Sequence, residues 1–332
     1  MAFAEVDRSR SGFTIVGGMM VVVCRTLILV SITLTGWMGP AGQAQTKGTT
    51  PAEAPMQDSP RLKADEENRP LPDIPTLMHE VEIHQKAEEA IEKNYLYHAM
   101  DTAQELNGKG GVKKTEAREY DVFWVEGVPV HKLTRKDGKE LSAGEQKKES
   151  EQIDKEVAKA KERRAKADAK GKETDPYGNE EITVSRFLEL GSFSNARRVK
   201  WNGRNTIAVD FAGDPKAKTR NRAEDVIRDM AGTVWVDEDD RAIARIEGHF
   251  LNTFKIGGGL VVNIQKGTSF SMEQKKINDE VWLPTRVDGH GAARAFLLFS
   301  FKGNFWESDS DYRKFKATST ILPGMEKVES SQ

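Results

Sequence analysis

The residues of this chain best equipped for chemistry are Gly257-Gly258-Gly259, followed soon by Lys266-Gly267-Thr268-Ser269. Three glycines, a lysine and two hydroxyls are the ingredients of a phosphate loop. Such a loop needs Gly-Lys-Ser/Thr opening a helix, because the helix N-terminus holds the phosphate. Here the order is Lys266-Gly267-Thr268, and Leu260, Val262, Ile264, Phe270 and Met272 alternate around it with a period of two. That period predicts strands on both flanks, so no nucleotide site is expected. Gly257, Gly258 and Gly259 read instead as a hinge or rim, where a sheet bends or a side chain would block a cavity mouth.

The other candidates fail on similar tests. His79-Glu80-Val81-Glu82-Ile83-His84 resembles a metalloprotease helix, but its histidines are five apart rather than four. On a regular helix that leaves them about 140° out of alignment, too far to share one zinc. Asp237-Glu238-Asp239-Asp240 lacks the alternating ligands, glycine and distal glutamate of a calcium loop, and reads as a solvated hairpin turn. Leu190-Gly191-Ser192-Phe193-Ser194 lacks the closing glycine of a nucleophile elbow. His249 and His290 follow glycines at strand ends and have no assignable acid-base partner. The single cysteine, Cys24, lies in the N-terminal apolar segment, leaving no thiol elsewhere for a disulfide, a thiolate zinc site or a nucleophile. No catalytic residue, cofactor or metal is expected.

The elements around these residues begin with an export signal. Arg8, Arg10 and Arg25 precede or interrupt an apolar run from Met19 to Met38, and Gly42-Gln43-Ala44 supplies small residues before Gln45. Residues 1–44 are read as a cleavable signal peptide and the destination as the periplasm, with a retained N-terminal anchor as the alternative. Arg25 leaves too short an apolar run for a span of ~20 residues. The lead-in is long, and Met19 or Met20 offers a second start. The net charge of the chain is -2; removal of three Arg, Glu5 and Asp7 with the leader makes it -3. That balance argues against nucleic acid as a partner.

Residues 45–75 hold six of the twelve prolines among polar residues and read as a disordered tether. Thr76 is the expected cap of a helix from Leu77 onward. Period-two segments then predict strands at 95–106, 112–125 and 128–134, turning at Asn107-Gly108, Glu126-Gly127 and Asp137-Gly138. Ser142 and Glu145 form a capping-box pattern that opens a helix to about Lys170. Nine of its residues are Lys or Arg and seven Asp or Glu, with no sustained apolar seam, so it reads as a solvated insertion or a partner-binding arm. After short helices at 182–190 and 223–230, with a basic loop 216–222 between them, the chain is almost wholly β. Residues 76–316 are taken as one domain and 317–332 as a flexible tail.

Within this β half, Ala231-Gly232-Thr233-Val234-Trp235-Val236-Asp237 and Ile243-Ala244-Arg245-Ile246-Glu247-Gly248 resemble a recurring hairpin of the outer-membrane lipoprotein carrier and sorting superfamily. Val281-Trp282-Leu283-Pro284 looks like one of its later strands, and the resemblance covers roughly 195–316. It implies an α+β fold: a large curved antiparallel β-sheet, an unclosed half-barrel, with helices covering the concave face; the long charged surface helix at 142–170 departs from the superfamily's pattern. It also implies a non-enzymatic protein that binds a lipid, acyl chain or lipoprotein in an apolar cavity. Leu260, Val262, Ile264, Phe270, Met272, Val281, Leu283, Leu297, Phe299 and Phe301 could line one face. Large apolar side chains serve a filled core and a lipid cavity equally. The alternative function is an envelope interaction or sensor module, with helix 142–170 or the basic loop meeting a partner.

Overall fold

The computed structural model describes residues 69–315, apart from 173, 180, 181, 183 and 296–298. The expected signal peptide, most of the expected tether, the expected tail and Leu297 lie outside the described residues. Helix α1 spans Ile74–Glu92, and its cap is Asp73 rather than Thr76: the Asp73 carboxylate accepts the Thr76 N–H. Pro75 sits in the first turn, where its missing N–H costs nothing. The expected tether therefore ends two residues early. Just before it, the carbonyls of Arg69 and Pro70 accept the guanidinium of Arg198.

Four strands follow, β1 (Tyr95–Leu106), β2 (Val112–Val125), β3 (Val128–Lys136) and β4 (Lys139–Glu140), then helix α2 (Ala143–Asp168) and the short helix α3 (Val184–Glu189). Strands β5 (Gly191–Trp201) and β6 (Arg204–Gly213) precede helix α4 (Arg222–Arg228). The remainder is β7 (Met230–Asp237), β8 (Ile243–Phe250), β9 (Phe254–Ile256), β10 (Val262–Ile264), β11 (Ser269–Ile277), β12 (Val281–Ala295) and β13 (Phe299–Lys314). The last two of these, β12 and β13, are long, at fifteen and sixteen residues.

All strand pairings are antiparallel. The order is β4-β3-β2-β1-β13-β12-β11-β8-β7-β6-β5, with the β9–β10 hairpin alongside the end of β12. β4 and β5 are the two edges, so the sheet does not close. The N-terminal meander is part of this sheet because β1 pairs with β13.

Alternation gives the sheet two unlike faces. On the concave face Ile207, Val209, Val234, Ile246, Met272 and Val287 form one core with Leu77 and Val81 of α1 and Val226 of α4. On the convex face, Arg245 bonds Glu247 and Glu273, while Arg286 bonds Asp288.

Helix α2 has the expected capping box, which holds the Glu145 carboxyl down at about 2 through its bonds to Ser142. It runs along β3. Lys136 pairs with Glu145 at one end, and Arg164 donates to the Gly127 carbonyl at the other. Between them, Val157 and Ala160 pack on Val128 and Val130, and the buried Glu149 carboxylate accepts the Leu133 N–H. The charged helix therefore covers a sheet edge, a device that blocks strand addition.

Candidate functional site

The candidate site is a groove between α1 and the concave face. It is formed by one row of cross-strand neighbours: Phe211 on β6, Gly232 on β7, Gly248 on β8, Phe270 on β11, Gly289 on β12 and Phe305 on β13. Three phenylalanines are separated by glycines. Between Phe211 and Phe270 two glycines stand side by side, so for three strand spacings, ~14 Å, the floor carries no side chain of its own.

Gly232 cannot be replaced without strain, because a Cβ there would overlap the Glu247 carbonyl oxygen. A Cβ on Gly248 would fall 2.5 Å from Cζ of Phe270, whose ring lies over that glycine. Thr233 and Glu247 also border the groove. Their side chains are engaged on the convex face, with Asp210 and Arg245 respectively, so they offer backbone to it.

Walls and roof are apolar. Phe187 of α3 stacks on Phe211 at 4.8 Å between centroids, with Phe193 at 5.4 Å from Phe187. Ile182 and Ile227 pack against the same rings. Met78 and Val81 of α1 form the roof, and Val234, Ile246 and Phe270 complete the interior. The cavity is about 80 Å³. That is room for several waters where one needs ~10–15 Å³.

The mouth is polar, with Glu82, Gln85, Lys86 and Glu89 along one side of α1. The Glu82 carboxylate accepts the Val184 N–H and ties α1 to α3. Burial pushes the Glu89 carboxyl up. Further along α1, the Glu88 carboxylate accepts the backbone N–H of Trp282 at 2.9 Å, and burial pushes it up to about 7. His84, 3.4 Å from Glu88, is held down by burial. Arg241 bonds Glu80. The roof is thus a helix latched to the sheet by polar contacts at several points along its length.

The expected cavity residues do not converge here. Phe270 lines the groove. Val262, Ile264, Met272 and Phe301 belong to the same core but sit beneath or beside it. Val281 and Leu283 pack with Tyr95, Ile91 and Tyr312 in a separate cluster, because β12 carries one extra residue between the partners of Glu273 and Gln274. A bulge shifts the alternation by one, so Val281 and Leu283 do not share the face of Val287. Leu260, expected inside a strand, is 59% exposed at a hairpin tip. Phe299 opens β13 opposite Ala295. Gly257–Gly259 form a 3₁₀ turn between β9 and β10, all three at positive φ, and none borders the groove.

The rejected motifs have structural roles. Asp237 is not solvated: it is fully buried and accepts two bonds from Arg204 as well as the N–H groups of Asp239 and Asp240. The basic loop packs back on α4, with the Arg220 N–H donating to the Glu224 carboxylate and the Thr219 hydroxyl to Asp225. Among the described residues no three His, Cys, Asp or Glu side chains converge as a metal site.

What sequence reading missed is the roof residues and the glycine floor. The signal for the floor was available as Gly232 and Gly248 inside two otherwise strong strands.

No family model matches the chain, and no curated protein matches it. Three solved structures show a distant likeness to it. An outer membrane lipoprotein-sorting protein domain from Vibrio parahaemolyticus is 12% identical with a TM-score of 0.31, over 74% of this chain and 95% of that one. A LolA superfamily protein from Nitrosomonas europaea is 9% identical with a TM-score of 0.29, over 73% and 92%. A DUF1329 family protein from Desulfovibrio piger is 10% identical with a TM-score of 0.29, over 72% and 92%. The chain itself is an open antiparallel sheet with helices on its concave face.

Proposed function

We propose that the chain is a non-enzymatic protein of the bacterial envelope that takes an acyl chain, free or on a lipoprotein, into the groove beneath α1. The observation that carries this reading is the side-chain-free floor at Gly232 and Gly248, walled by Phe211 and Phe270 and roofed by Met78 and Val81. An apolar trough with a polar mouth suits a ligand with an alkyl tail and a polar head. Each methylene buried contributes ~0.8 kcal/mol, so even a short length of chain gives useful affinity. Capture needs no catalytic group. The small cavity calls for α1 to lift as the chain enters, and the polar latches along that helix are the contacts that would exchange with water.

Export through residues 1–44 to the periplasm belongs to the same proposal. The charged helix α2 uses its few apolar residues and Glu149 on β3, so its fold role is accounted for without a partner.

Native mass spectrometry of gently purified protein, followed by lipid extraction, tests the reading. Wild type should carry lipid at near one-to-one stoichiometry. Met78→Trp, which fills the trough from the roof, should carry at least tenfold less while unfolding at a similar temperature. Lipid-free wild type that also fails to take up added fatty acid would overturn the proposal.

A further inference from the structure

On most of the convex face cations are matched by carboxylates, but one end of the sheet breaks the pattern. From Gly248 to Met272, and again from Gly289 to Trp306, the chain contains no Asp or Glu. The β9–β10 hairpin brings these two segments together, with Asn263 paired to both Lys255 and Arg294. Lys302, two residues beyond the Ser300 partner of Arg294, lies on the same side, and Lys266 is in the turn leading to β11. All four cations are exposed, and none has an ion-pair partner among the described residues. A chain of net charge -2 thus concentrates four unmatched positive charges at one end. From that end projects Leu260, an exposed aliphatic residue held beyond the strands by the Gly257–Gly259 turn.

We infer that this end of the sheet docks on an anionic phospholipid bilayer. Cations that meet lipid phosphates around an aliphatic residue that enters the headgroup layer are the composition of an interfacial contact. An acidic protein would be expected to meet directional partners, whereas here the cations stand on flexible stems around a glycine turn. The three glycines let the tip conform to a surface. The inference does not depend on the groove: docking without bound lipid would sink only the groove reading, and bound lipid without docking would sink only this one.

The test uses the full chain as Cys24→Ser Leu260→Cys, labelled at 260 with an environment-sensitive fluorophore. Phosphatidylglycerol-containing vesicles should shift its emission to the blue at about 0.02 M salt, and the shift should fade at about 0.5 M as the surface charge is screened. Phosphatidylcholine vesicles should produce little change, and a label at Lys139→Cys, on the edge strand β4, should not respond. Combining Lys255→Glu, Lys266→Glu, Arg294→Glu and Lys302→Glu should weaken the response at least tenfold. Because these side chains are exposed, circular dichroism should stay unchanged; if that variant fails to fold, the salt and lipid dependence of the parent still decides. A label at 260 blind to phosphatidylglycerol overturns the inference. So does a response equal on phosphatidylcholine, or an equal response to duplex DNA.

Discussion

The two faces of this sheet are made by alternate residues of the same strands, yet they are organised differently. One convex row reads Trp235, Arg245, Glu273 and Arg286 across four strands, each charge beside its opposite. One concave row reads Phe211, Gly232, Gly248 and Phe270. On the convex side the side chains meet one another above the backbone and tolerate adjustment. On the concave side the shape depends on atoms that are missing, and nothing can be added without displacing backbone or a packed ring. The lesson is that a trough can be created in a sheet by omitting two side chains while the neighbouring rings keep their places.

Adjacent substitutions on opposite faces break this comparison most sharply. Gly232→Val puts a branched side chain against the Glu247 carbonyl, and the expected cost is more than about 4 kcal/mol, enough to prevent folding of a marginal domain. Thr233→Val, next in sequence but facing out, loses one bond to Asp210 and should cost about 1 kcal/mol. Chemical denaturation of both variants measures the gap, and equal costs would remove the distinction between the faces.

A pH titration sharpens the comparison at an intermediate scale, through the helix that covers the concave side. Glu88 is raised from 4.5 to about 7 by burial between α1 and the sheet. Between those values the folded chain binds more protons than the unfolded one, so its stability falls as pH rises through that window. Glu88→Gln keeps an acceptor for the Trp282 N–H and removes the slope. Above pH 7 it should be more stable than wild type by about 1–2 kcal/mol, after discounting the shift for partial exposure. Parallel stability profiles for the two proteins between pH 4.5 and about 8 would refute this.

The smallest effect belongs to the convex ladder. Arg286→Ala breaks a two-bond pair with Asp288 whose arginine side chain is 58% exposed. Its cost should be about 0.5 kcal/mol at low salt and should vanish near 1 M salt, as thermal unfolding at both salts would report.

Much of the fold was legible because its signals are local. Asn107-Gly108, Glu126-Gly127 and Asp137-Gly138 marked their turns, and period-two runs placed β1 and β2 to the residue. The capping box at Ser142 located α2. Non-local features were not legible. Nothing near Tyr95 or Lys314 announces that these residues pair, and nothing at Thr285 announces the bulge that moves Val281 and Leu283 out of the main core. The site was the least readable part. Its floor is encoded by glycine, which carries no hydrophobic signal, and its roof by Met78 and Val81, which look like any packed helix face.

The pairing of β1 with β13 also governs when this molecule can come into being. Ala103 and Phe305 are register partners about 200 residues apart in the chain. During synthesis the strands β1 to β3 emerge early and have no inner neighbour until the last strand is available. Contacts of such long separation slow folding and leave strand edges open meanwhile. A chain that stops before Phe299 would therefore hold two incomplete sheets. The final sixteen-residue strand is the keystone that turns them into one.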